Sequence, residues 1–180
     1  MKRWWMSVAL AARTSLVVVH GGGREIDAAL ATAGIPAQQV DGLRVTDART
    51  LDVVVAVLAG AINTRLVAAV RKAGGRPVGL TGADASVATM KRSAPVASVA
   101  GPKVDLGLVG DVTGFNVHLI GELFRMGYVP VLACLGCDAK GQALNINGDT
   151  VASQLAGALN ADALVLVTST PGVLRDVKDP

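Results

Sequence analysis

The sequence predicts an α/β fold, a three-layer αβα sandwich with a mainly parallel sheet, and three observations carry that expectation. Short β-branched runs alternate with helical stripes along the chain. The runs are apolar on both faces, as strands covered from both sides of a parallel sheet are. No internal repeat or low-complexity linker interrupts the alternation, and 51% apolar residues in a chain of 180 can furnish a full core.

Leu16 to Val19 is the first such strand, followed at once by Gly21, Gly22 and Gly23. From Arg24 the spacing of Ile26, Ala29, Leu30 and Ala33 gives one helical stripe, closed by Gly34 with Pro36 beyond. Asp41-Gly42 marks a turn between two short extended pieces, and Asp47 caps a helix predicted from Ala48 to Lys72, bent near Gly60. "PVGLTG" reads as a buried strand, and "ATMKRS" with "DLGLVGDV" as short strands of an antiparallel flap. Asn116 caps a helix ending at Met126-Gly127. "YVPVLAC" is a strand that tolerates Pro130 because the proline lies early in it. "CDAKGQALNIN" turns at Lys140-Gly141, Asp149 to Leu159 is helical, and "ALVLVTS" is a final buried strand.

Charge and composition remove several function classes. Residues 1 to 24 hold Lys2, Arg3, Arg13 and Arg24 with no acid, so the formal +3 becomes −1 once those four are set aside. With 3% aromatic residues there is no basic, stacking face for nucleic acid. The longest apolar run, Val53 to Ile62, is about ten residues against the roughly 18 that span a bilayer, so no membrane partner is expected. The "MKRWWMSVALAAR" leader has the outline of a secretory signal, but its apolar part is interrupted by Ser7, and a cytoplasmic location is expected. Cys134 and Cys137 lack the second pair or nearby His that a zinc site needs, and read as structural thiols; no metal ligand set is expected.

Three chemistries place glycines after a strand, and each fails on a missing partner. A dinucleotide fingerprint needs a sixth-position glycine, where Ile26 stands; no G-x-x-x-x-G-K-[ST] occurs; and a hydrolase oxyanion loop of HGGG type lacks its G-x-S-x-G elbow. What remains is bare backbone N–H at a helix start, where Gly22 and Gly23 let an anionic oxygen approach. Packing glycines in a tight turn are the plainer alternative. Arg44, flanked by apolar residues, can clamp a carboxylate through two parallel hydrogen bonds. Asn145 and Asn147 share one face of an extended segment, and Asp149 opens the next helix, with an Asx turn and helix cap as its plainer role.

"VVVHGGGREID", "DGLRVTDARTLDVVVAVLAGAINTRLV", "GGRPVGLTGADA", "DLGLVGDV", "GYVPVLACLG", "GQALNINGDTVASQLAGALNADALVLVT" and "PGVL" resemble, in this order, successive blocks of the acetylglutamate kinases in the amino acid kinase family. The resemblance covers about residues 16 to 176 and implies the amino acid kinase (carbamate kinase-like) fold, here incomplete. It implies phosphorylation of the side-chain carboxylate of N-acetyl-L-glutamate by ATP with Mg2+, by direct in-line transfer, in arginine biosynthesis. Gly22 and Gly23 then contact the substrate and the transferring phosphoryl group, Arg44 holds the α-carboxylate, and Asn145 and Asn147 belong to the substrate site. Asp149 matches the residue that positions catalytic lysines, and Ser169, Thr170, Gly172, Val173 and Leu174 match the start of the nucleotide site.

The implied organisation is a non-matching leader over 1–15, an acetylglutamate-binding domain over 16–167 and the start of a truncated ATP-binding region over 168–180. The leader lacks the family's K-x-G-G motif and the second catalytic lysine has no match, so an inactive binding or subunit-interaction module is the alternative. A sister kinase of lysine biosynthesis is a further, minor one. The resemblance also implies a homodimer, with the helix from residue 48 supplying the surface.

Overall fold

The computed structural model describes residues 14–98 and 101–167. Its centre is a three-stranded parallel sheet of β1 (Val18–His20), β9 (Val129–Ala133) and β4 (Pro77–Thr81), in the order β1-β9-β4. Val18 pairs with Val131, and Pro77 with Val129. Pro130 lies before the stretch where β1 pairs with β9, so its missing N–H falls outside that ladder.

Alternate β9 residues enter opposite layers, as the pleat requires. Val129 and Val131 pack with Val70, and Ala133 with Ile26, Leu30, Val54, Leu58 and Ile62. Leu132 packs on the other side with Ile120, Val151 and Leu155. Helix α1 (Gly23–Thr32) and the long helix that begins at Ala48 thus cover one face, and α4 (Val117–Arg125) and α5 (Gly148–Ala158) the other. The expected three-layer sandwich is formed.

The long helix has three parts: α2 (Ala48–Val55), a π-helical segment (Ala56–Ile62) and α3 (Asn63–Lys72). The bend expected near Gly60 is this wider π turn, an uncommon geometry that clusters at functional sites. Asp47 Oδ1 accepts the Thr50 N–H at 2.7 Å and caps α2. Unlike Val53 to Ile62 alone, the whole helix is long and apolar enough to cross a membrane by length and composition, yet Leu51, Val54, Leu58, Ile62 and Val70 are buried in the domain core.

A second sheet, ordered β11-β10-β5-β8, hangs beside the first. It comprises β11 (Ala143–Asn145), β10 (Leu135–Cys137), β5 (Ala88–Arg92) and β8 (Gly110–Phe115), and β5 pairs antiparallel with β8 as the flap reading expects. The flap strand starts later than expected: 105–109 makes single bridges, Thr46 to Gly107 and Val109 to Asn145, before β8 begins. A small hairpin, β6 (Val96–Ser98) with β7 (Gly101–Val104), extends the flap.

Two expectations need correction. The run 163–167 is not a buried strand: it has no strand partner among the described residues, and Val165 and Val167 are 78% and 86% exposed. Its β propensity is real, but a strand forms only when a partner edge meets it. Asp149 does not cap α5; Asn147 does, accepting the Thr150 N–H at 3.0 Å. Residues 1–13 of the leader and the nucleotide-site residues Ser169, Thr170, Gly172, Val173 and Leu174 lie outside the described residues.

Candidate functional site

The hairpin of β2 (Gln39–Val40) and β3 (Leu43–Arg44), the glycine loop, the flap and the start of α5 enclose a cavity of about 400 Å³. Asp41 and Gly42 turn that hairpin with φ of 49° and 79°, which glycine and aspartate tolerate. The cavity is lined by Gly22, Gly23, Arg44, Asn145 and Asn147, so all five residues predicted for the substrate come together. Asp149 is not among the lining residues; it is exposed in the first turn of α5.

Two helix N-termini converge here. Helix α1 begins at Gly23 and α5 at Gly148, and a Cβ placed on Gly148 would lie 3.7 Å from the Gly21 backbone nitrogen. The positive ends of both helix dipoles therefore lie close together, which favours a multiply charged anion.

The glycines do not all serve the same purpose. A Cβ on Gly22 would overlap Ile62 Cδ1 of the π segment and lie 3.0 Å from Leu58 Cδ2. Gly22 is therefore a packing position, the alternative open at the sequence level, where a Cβ would oblige the Ile62 methyl to move. On Gly21 and Gly23 a Cβ would meet no described atom within 4 Å, so bare backbone there leaves room for a ligand.

Arg44 carries a side chain 8% exposed. Its Nη2 lies 2.7 Å from Asp27 Oδ1, a contact with the closeness of an ion pair but not the angle of a hydrogen bond, and donates weakly to Gly23 O at 3.4 Å. Nη1 is buried without an acceptor among the described residues. The two-toothed clamp expected of Arg44 is thus half engaged by Asp27. A buried guanidinium nitrogen lacking a partner is costly, and an incoming carboxylate can supply one.

Sequence reasoning missed Thr46, which is wholly buried. Its Oγ1 donates to Arg44 O at 3.1 Å and accepts from Asn145 Nδ2 at 3.3 Å, joining two predicted substrate residues. Its position two residues after Arg44 was the available signal. Asp111 and Ser93 were also missed; they line the flap side, where Ser93 Oγ donates to Asp111 Oδ1 at 2.6 Å. Arg44 and Asp111 are the charged residues of the lining.

Cys134 is buried and its thiol is pushed up to about 12, first by burial and then by the charge of Asp149. It is an inert packing thiol at neutral pH. Among the described residues no group of three His, Cys, Asp or Glu could hold a metal ion.

The amino acid kinase family model matches residues 5–180. The chain is 60% identical over 167 residues to the acetylglutamate kinase of Anaeromyxobacter sp. (strain Fw109-5), covering 92% of this chain and 62% of that protein. It is 54% identical to the acetylglutamate kinase of Sorangium cellulosum (strain So ce56), covering 91% and 58%. The chain therefore spans about three-fifths of the length of these curated relatives. Among solved structures, smu.665 from Streptococcus mutans UA159 superposes with a TM-score of 0.78 at 32% identity, covering 96% of this chain and 65% of that one. N-acetylglutamate synthase from Neisseria gonorrhoeae, with coenzyme A and N-acetyl-glutamate, shares the fold at a TM-score of 0.66 and 22% identity, over 84% and 35%. With its parallel sheet, its glycine loop and a family match over nearly its whole length, the chain belongs to the amino acid kinase family.

Proposed function

We propose that this chain takes part in the ATP-dependent phosphorylation of the side-chain carboxylate of N-acetyl-L-glutamate, and that its cavity holds the acetylglutamate. One observation carries the reading: Arg44, its side chain buried and one guanidinium nitrogen without a partner among the described residues, lines the same cavity as two converging helix N-termini. The α-carboxylate goes to Arg44. The side-chain carboxylate lies toward Gly21 and Gly23, where open backbone leaves room for the phosphoryl group. Asn145, braced through Thr46, and Asn147 orient the substrate between these ends. The names of the relatives at 60% and 54% identity support the same substrate.

In this reading residues 16–167 form the acetylglutamate-binding domain and 168–180 begin the nucleotide region, in a cytoplasmic enzyme of arginine biosynthesis. Mg-ATP enters as the second substrate; one carboxylate oxygen bonds to the γ-phosphorus as the bond to ADP breaks, without a covalent enzyme intermediate. Asp149, in the first turn of α5 just outside the lining, orients cationic groups brought to the transferring phosphoryl. Arg44 is the one cation lining the described cavity; a chain that binds the substrate without turning it over is the second reading, which the names of the relatives do not favour. The protein pairs as a homodimer through the long helix, of whose most apolar stretch 33% is buried in the single chain.

Titration calorimetry with N-acetyl-L-glutamate, with and without Mg-ATP, tests this. Saturable binding abolished by Arg44→Ala is expected. Absence of binding by the native chain would overturn the substrate assignment, while binding with no heat of turnover would select the second reading.

A further inference from the structure

We infer that His20 and Asn63 are positioning residues for the glycine loop, acting through a buried hydrogen-bond relay that fixes the peptide between Gly21 and Gly22. His20 ends β1 and is buried; Asn63 opens α3, directly after the π segment, and is 6% exposed. Asn63 Nδ2 lies 3.0 Å from Val131 O, 3.3 Å from Leu80 O and 3.2 Å from His20 Nε2. Two of these partners are carbonyl oxygens, which only accept, so the amide nitrogen and not the amide oxygen faces them.

That orientation determines the imidazole. The two N–H of that amide are shared among three acceptors, and since its nitrogen accepts nothing, His20 Nε2 carries no proton and the ring proton lies on Nδ1. Nδ1 is 3.2 Å from Gly21 O and donates to it. Because a peptide is planar with C=O and N–H opposed, holding Gly21 O toward the imidazole directs the Gly22 N–H away from it. On the same loop, Leu58 and Ile62 pack against Gly22, where a Cβ would displace the end of the Ile62 side chain. One turn of the long helix therefore grips the loop twice, by packing at Gly22 and through Asn63 and His20 at Gly21. A loop that stabilises an anion through bare N–H groups gains from this, since the donors are aimed before the ligand arrives.

The inference rests on the reading of the cavity as an anion site, and two single substitutions separate its parts. In His20→Asn the side-chain amide nitrogen can replace Nδ1 and donate to Gly21 O, while the link to Asn63 is lost. In His20→Gln the side chain reaches Asn63 instead, and the bond to Gly21 O is lost. Calorimetry should find N-acetyl-L-glutamate affinity in His20→Asn within about threefold of the native chain, and about tenfold weaker in His20→Gln, at similar melting temperatures. Equal losses in both variants, or losses that simply follow melting temperature, would overturn the relay.

Nitrogen-15 NMR of the ligand-free native chain gives a second, independent reading. The neutral tautomer with the proton on Nδ1 is expected near pH 7.5; a proton on Nε2 would overturn the inference even if both variants failed to fold. If the native chain binds no N-acetyl-L-glutamate, the substrate assignment falls. The Gly22 amide shift then decides the relay alone, moving in His20→Gln and staying in place in His20→Asn if it holds.

Discussion

Gly22 and Gly23 are neighbours in sequence, yet a side chain at each would meet opposite surroundings. Gly22→Ala forces a methyl against Ile62 and Leu58 and should cost about 1–3 kcal/mol of stability, read as a lower denaturation midpoint. Gly23→Ala has open space and a helical position, so thermal stability should hold while N-acetyl-L-glutamate affinity falls. Both glycines stood out in the sequence, but which was for packing did not, because the π segment that presses on Gly22 lies 34 to 40 residues further along the chain. The five predicted residues that line the cavity were legible as motifs for the same reason that Asp27 was not. A glycine triplet or an Asn-x-Asn announces itself locally, whereas the partner of Arg44 is known only once α1 and β3 are adjacent.

His20 adds a pH dependence at the same scale. Burial lowers its pKa below the usual 6.5, against the opposing hydrogen bond to Gly21 O, so the folded chain binds that proton less readily than the unfolded chain. Its contribution is complete above about pH 6.5 and is lost as pH falls through the lower folded value. Asp47, held low chiefly by the Thr50 N–H, and Asp105, held low chiefly by the Gly107 N–H, act with the same sign further down. Melting temperatures should be flat from pH 8 to 7 and fall steadily on acidification below 6.5; a rise on acidification would contradict the buried neutral imidazole.

At the scale of elements, helices were the most legible. Their caps and glycine stops act within a few residues, and Asp47, Asn116, Gly34 and Gly127 all serve as the sequence suggests. Asn147 took the cap assigned to Asp149 because an extended residue two places earlier brings its side chain over the Thr150 N–H. Asn147→Ala should cost about 1 kcal/mol in a denaturant titration, and Asp149→Ala less, since it removes a dipole contact and no cap. The π segment was visible only as a bend at Gly60. Its wider turn carries Leu58 and Ile62, which meet the glycine loop, a tertiary contact no local pattern encodes.

For the whole molecule, the layer order followed from alternation and the antiparallel flap pair β5 and β8 from its two short runs, while the addition of β10 and β11 to that pair did not, since it depends on contacts between distant parts of the chain. The long helix leaves Val55 37% exposed beside Ala56 and Gly60. If this face is the dimer surface, Val55→Glu should shift sedimentation toward the monomer without lowering ligand affinity; unchanged sedimentation of a native dimer would place its interface elsewhere.

The parallel sheet ends at β1, with no further strand on its outer side among the described residues, and Leu164 to Val167 lie exposed, apolar and uncharged. An open ladder and a sticky, strand-prone ribbon on one polypeptide are the two halves of an intermolecular zipper. Stored at high concentration, the chain is therefore expected to turn cloudy through β-rich polymers, and Val165→Lys, a gatekeeper charge in the ribbon, should keep it clear.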